Sequence, residues 1–145
     1  MVAASAVGDW TARPGGDAPD SSGLRVLVVE DDADSAVSLA RFLRGIGHEV
    51  EVAPNGTTAV EAAQARRPDV VLLDLGLPGL DGWQVARRLQ GHPAQRRPLL
   101  VALTGHDREA DRRRSAEAGI DLHLAKPVDP DLLRRLLQRF QSVIL

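Results

Sequence analysis

The chain has no cysteine. Disulfides and thiolate metal sites are therefore excluded, which fits a reducing cytosol. Lysine is nearly absent too: of the 18 Lys and Arg residues, every one is Arg except Lys126. In so Arg-biased a chain a single Lys is either incidental or placed where a compact ammonium on a flexible stem is needed. No apolar run approaches the roughly 18 residues of a membrane span, and the start lacks the basic segment of a secretory signal. A net charge of -2 offers no excess of positive charge for duplex nucleic acid. What remains is 145 residues, 43% hydrophobic and 26% charged, the size of one globular domain with a tail. A body of that size buries roughly two thirds of its unfolded surface and needs no covalent staple.

Residues 1–23 are rich in Ala, Gly, Ser, Pro and Asp, without a sustained period, and read as a disordered tail; Trp10 is the one residue there that could dock. From Arg25 the pattern alternates strand and helix. Arg25 to Val29 is an apolar, β-branched run followed by Glu30-Asp31-Asp32. Asp34 and Ser35 are expected to cap a helix with an inner face of Val37, Leu39, Ala40, Leu43 and Ile46, ending at Gly47. Glu49 to Ala53 is a short strand, and Asn55-Gly56-Thr57 opens an Ala-rich helix that stops before Pro68. Val70 to Leu73 reads as a strand buried on both faces that ends on Asp74, and Gly76, Pro78, Gly79 and Gly82 then break the pattern. A helix from about Gly82 to Gln90, a strand from Leu99 to Leu103 and a helix from Asp107 to Ala118 follow. The strand Ile120 to Ala125 and an amphipathic helix from Asp129 to Ser142, on Leu132, Leu133, Leu136, Leu137 and Phe140, close the chain. Five strands alternating with five helices imply an α/β fold with a parallel sheet covered on both faces.

The polar residues fall where the strands end. Glu30-Asp31-Asp32, Asp74, Thr104 and Lys126 follow the first, third, fourth and fifth strands. In a parallel sheet those ends share one edge, where ligands bind. Clustered carboxylates repel unless a cation lies among them, and Mg²⁺ suits one or two carboxylates, waters and a phosphate oxygen. Asp74 can then act as a nucleophile on phosphorus, while Lys126 and the Thr104 hydroxyl meet phosphoryl oxygens.

Four motifs in this order carry a resemblance: Val-Val-Glu-Asp-Asp at 28–32, Leu-Leu-Asp-Leu-Gly-Leu-Pro-Gly-Leu-Asp-Gly at 72–82, Leu-Thr-Gly at 103–105 and Ala-Lys-Pro at 125–127. Residues 24–145 resemble a response-regulator receiver domain of bacterial two-component signalling. The resemblance implies a doubly wound, flavodoxin-like fold with strand order 2-1-3-4-5. It implies Asp74 as phosphoacceptor, served by a histidine kinase or histidine phosphotransfer protein, with Mg²⁺ held by Glu30, Asp31, Asp74 and the backbone carbonyl of Gly76. Thr104 and Lys126 would bind phosphoryl oxygens, and the Lys126-Pro127 bond would be cis. Such a domain is a signalling switch and not an enzyme, although self-phosphorylation from small phosphodonors and slow autodephosphorylation come with it. Asp32 either joins the metal shell or starts the first helix.

Two positions depart from the family pattern. His123 stands where receivers usually carry Tyr or Phe, which leaves open a weaker switch, a pH-sensitive one or none. Gly76 has no side chain where many receivers have a polar one, so attack of water on the acyl phosphate is altered in a direction the sequence does not give. The chain ends with its fifth helix, so a stand-alone cytoplasmic receiver is expected, its output a protein contact through the surface from the fourth helix to the fifth. That surface carries Arg108, Arg112, Arg113, Arg114, Arg134, Arg135 and Arg139. Other readings are a non-phosphorylated pseudo-receiver that binds partners, a fragment of a hybrid kinase, and a nucleotide-binding flavodoxin-like module. The last is opposed by the acidic first loop. A haloacid-dehalogenase-type phosphohydrolase needs a second Asp where Gly76 stands.

Overall fold

The computed structural model describes residues 23–76, 82–90, 97–105 and 109–144, and among these the side chains of all but 109–112, 115 and 144. The expected tail up to Ser22, Pro78 and Gly79 of the central loop, Asp107 and Arg108 lie outside the described residues. The elements are β1 (Arg25–Val29), α1 (Ala33–Gly45), β2 (Glu49–Ala53), α2 (Gly56–Arg66), β3 (Val70–Asp74), α3 (Gly82–Leu89), β4 (Leu99–Thr104), α4 (Glu109–Ala118), β5 (Leu122–Ala125) and α5 (Pro130–Ile144). All strand pairs are parallel and the sheet order is β2-β1-β3-β4-β5.

Each face of the sheet has its own core. Leu27, Val29, Val71, Leu73, Leu100 and Ala102 pack against Ala59 and Ala62 of α2, Val85, Ala86 and Leu89 of α3, and Ala118 of α4. Val26, Val28, Val70, Leu72, Val101, Leu103 and Leu124 pack against Ala40 and Leu43 of α1 and Leu133 and Leu137 of α5. All five residues of β3 are buried, because it is the middle strand and covered from both sides. Each such aliphatic side chain contributes roughly 1.5–3 kcal/mol. This core fixes the register that brings the strand ends level.

Local details differ from the sequence expectations for physical reasons. The cap of α1 is Asp32, two residues before Asp34: its backbone is extended and its side chain accepts the Ser35 N–H at 3.1 Å. Val37 is 48% exposed, since the buried stripe of α1 runs through Ala36, Ala40 and Leu43. Leu132 is likewise 46% exposed at the flank of the α5 stripe. In β2, Glu51 is as buried as Val50, and Arg66 of α2 lies 3.6 Å from its carboxylate. A strand covered on both faces buries alternate residues of either type, provided the polar ones find partners.

Candidate functional site

The carboxyl edge of the sheet gathers Glu30, Asp31, Asp74, Thr104 and Lys126, each placed by the strand it ends. Glu30 and Asp74 are buried, whereas Asp31 is exposed. One oxygen from each of these three carboxylates lies within 4.8 Å of the other two. Lys126 reaches across from the end of β5: its Nζ is 3.1 Å from Asp74 Oδ2 and 3.2 Å from Glu30 Oε1. The Lys126 N–H also donates to the Thr104 carbonyl at 2.9 Å, so hydroxyl-bearing and ammonium-bearing residues are locked side by side. The Lys126-Pro127 peptide bond is cis.

Electrostatics follow from this crowding. Burial pushes the Glu30 carboxyl up; the Asp32 N–H, which donates to Glu30 Oε2, opposes the rise, and Asp74 reinforces it. Burial alone would lower Lys126, but its bonds to Asp74 and then Glu30 outweigh that and hold the ammonium above its ordinary range. Three carboxylates against one ammonium leave two formal negative charges at the cluster. The set is made of hard oxygens with too little positive charge, and it fits Mg²⁺.

The remaining candidates fall in different places. Gly76 meets Asp74 through its N–H, which donates to Asp74 Oδ1 at 2.9 Å. Asp32 is occupied as the α1 cap: Ser35, donating through both its hydroxyl and its N–H, holds the carboxyl below its ordinary value. His123 is half-buried in β5 opposite Ala102, and so lies on the face covered by α2, α3 and α4. A hollow of about 570 Å³ adjoins the cluster, walled by Leu39 and Phe42 of α1, Val128 and Leu133, with Glu30 and Lys126 at one end. No sequence pattern signals this hollow, because it forms between the first and last helices of the fold. Among the described residues no helix is long and apolar enough to cross a membrane.

Comparison with known proteins agrees with this geometry. The family model described as the response regulator receiver domain matches residues 26–138. The gliding motility regulatory protein of Myxococcus xanthus is 36% identical over 115 residues, which are 79% of this chain and 15% of that protein. Response regulator PleD of Caulobacter vibrioides is 37% identical over 123 residues, 83% of this chain and 27% of that protein. The chain thus spans a minor part of either relative. The receiver domain of a Pseudomonas aeruginosa sensor histidine kinase, solved with a magnesium ion coordinated in its active site cleft, superposes with a TM-score of 0.74 at 34% identity, covering 83% of this chain and 98% of that one. Sheet order, strand-end chemistry and these matches lead to one conclusion: the chain belongs to the response-regulator receiver family of two-component systems.

Proposed function

We propose that this receiver accepts a phosphoryl group on Asp74 from a phosphohistidine of a kinase or phosphotransfer protein. The observation that carries the reading is the Lys126 ammonium, 3.1 Å from Asp74 Oδ2 in a cluster short of positive charge. In the transfer, an Asp74 carboxylate oxygen forms a bond to phosphorus as the donor's bond to phosphorus breaks, and the donor nitrogen keeps the electron pair. Glu30, Asp31, Asp74 and the Gly76 carbonyl would hold Mg²⁺, which when bound neutralises charge on the carboxylates and the phosphoryl oxygens. Lys126 holds one phosphoryl oxygen and the Thr104 hydroxyl donates to another. Gly76 N–H keeps the acceptor carboxylate oriented. Output passes to a protein partner through α4, β5 and α5, where Arg113, Arg114, Arg135 and Arg139 are exposed.

The test is intact mass after incubation with acetyl phosphate. One added phosphoryl group is expected, dependent on Mg²⁺, removed by hydroxylamine and absent from Asp74→Asn. A natural protein left unmodified by both acetyl phosphate and a phosphorylated histidine donor would overturn the proposal and favour a pseudo-receiver.

A further inference from the structure

Behind Asp74 the backbone is packed more tightly than the site's own chemistry requires. The chain turns at Leu75 and Gly76 directly after β3, and it is this turn that supplies the Gly76 N–H to Asp74 Oδ1. Gly82, the first residue of α3, is buried against the same turn. A Cβ on Gly82 would lie 2.8 Å from the Leu75 Cα, 2.8 Å from its Cδ2 and 3.2 Å from its carbonyl oxygen. Side-chain atoms can yield, but a Cα and a carbonyl oxygen can move only if the turn itself moves. Gly76 is different, for a Cβ there would meet only Asp74 Oδ1, at an ordinary 3.5 Å. Space is therefore restricted at the residue that touches no reacting atom. The α3 helix is itself anchored: Val85, Ala86 and Leu89 are buried in the core, and the Gln90 side chain just beyond the helix donates to the Ala118 carbonyl of α4 at 2.6 Å. Retreat of α3 is thus opposed from behind.

We infer that Gly82 is a positioning residue for the Asp74 carboxylate, acting through backbone contact with Leu75 and the Gly76 N–H. The inference rests on Asp74 being the phosphoacceptor. A side chain at Gly82 displaces the Leu75–Gly76 turn, rotates the donor that fixes Asp74 Oδ1 and takes the nucleophilic oxygen out of line. Misplacements of about 1 Å cost up to roughly a hundredfold in rate.

Trp83, the next residue, provides an optical view of the same contact. Its ring packs on the same core as Leu75 and lies beneath the Arg114 guanidinium of α4, 4.2 Å from the ring centroid. The experiment uses the full chain with Trp10→Phe, so that Trp83 alone reports. Acetyl phosphate labelling is followed by intact mass across donor concentrations, together with thermal unfolding, for this protein, Gly82→Ala and Gly45→Ala, whose Cβ would enter open space. For Gly82→Ala the maximal labelling rate is expected to fall about tenfold or more, well below its Tm, with the half-saturating donor concentration unchanged. Gly45→Ala should label as the parent does. Adding Leu75→Ala to Gly82→Ala should leave the rate low, because the backbone clash persists. Trp83 emission in the unsubstituted site should shift on phosphorylation, a readout that survives even if Gly82→Ala fails to fold. A lower Tm with an unchanged rate, rescue by Leu75→Ala, or an emission that stays constant while the mass rises would each overturn the inference. Absence of any added mass in the parent would instead overturn the phosphoacceptor reading on which it rests.

Discussion

The two edges of the same sheet handle acidic residues in opposite ways. At the amino edge, Asp69 precedes β3 and Asp121 precedes β5, and both serve the backbone. Asp69 Oδ2 accepts the Arg25 N–H at 2.9 Å, and Asp121 Oδ2 accepts the Leu100 N–H at 2.8 Å. Asp121 Oδ1 also takes the Arg97 guanidinium at 2.7 Å. These carboxylates close off the first rungs of the ladder, where a strand otherwise leaves donors unmet. At the carboxyl edge, Glu30, Asp31 and Asp74 crowd together, and Glu30 and Asp74 share the Lys126 ammonium. Neutralised carboxylates build a fold, and under-neutralised ones create a demand for a cation and for a reaction.

The comparison breaks most sharply at Lys126. Lys126→Gln should slow labelling by about a hundredfold, as loss of one donor to a developing anion does. The same variant should melt lower than the natural protein in chelator and recover in Mg²⁺, measured by thermal unfolding. Asp121→Ala is the counterpart at the other edge. It should leave the labelling rate of the folded protein unchanged while removing about 1–3 kcal/mol of stability, read from urea unfolding, because the Leu100 N–H loses its acceptor. A smaller effect belongs to His48, also near the amino edge. Its Nδ1 accepts the Leu24 N–H at 3.0 Å, and burial holds the imidazole below its ordinary pKa of 6.5. The neutral form is the one the fold needs, so the His48 contribution is complete above about pH 6.5 and declines as pH falls through the lowered folded value. A tenfold difference in proton affinity between the folded and unfolded chain corresponds to about 1.4 kcal/mol. Urea midpoints at pH 7.5 and 5.5 should therefore converge in His48→Asn, whose amide oxygen can accept the same bond without titrating. An equal pH dependence in both proteins would remove His48 from the account.

The strands were legible because a doubly covered parallel sheet writes continuous apolar runs, and Val70 to Leu73 is buried throughout. Meeting of Glu30, Asp31, Asp74, Thr104 and Lys126 was legible for a related reason: parallel strands put all carboxyl ends on one edge, so order along the chain becomes position in space. What escaped depends on contacts between distant or local atoms that leave no periodic trace. His48 looks like a turn residue until Leu24, 24 positions earlier, is laid beside it. Glu51 looks like the outward member of an alternation until α2 brings Arg66 over it. Asp32 was legible as a residue that starts the first helix, whereas the choice between it and Asp34 as cap is made by backbone dihedral angles, its extended backbone aiming the carboxylate at the Ser35 N–H. The seat of Gly82 on Leu75 is likewise invisible in sequence, where Gly82 is only one of several breakers.

The acidic pair on β2 also bears on the open border of the sheet. β2 is an outer strand of the sheet, and it carries Glu49 and Glu51 at alternate positions, 3.8 Å from Arg25 and 3.6 Å from Arg66 respectively. A second copy that tried to add its own β2 alongside would bring like charges together and pull both glutamates from their arginines. Pairing at this border therefore carries a like-charge cost, and Glu49→Val, at the partly exposed member of the pair, would reduce it.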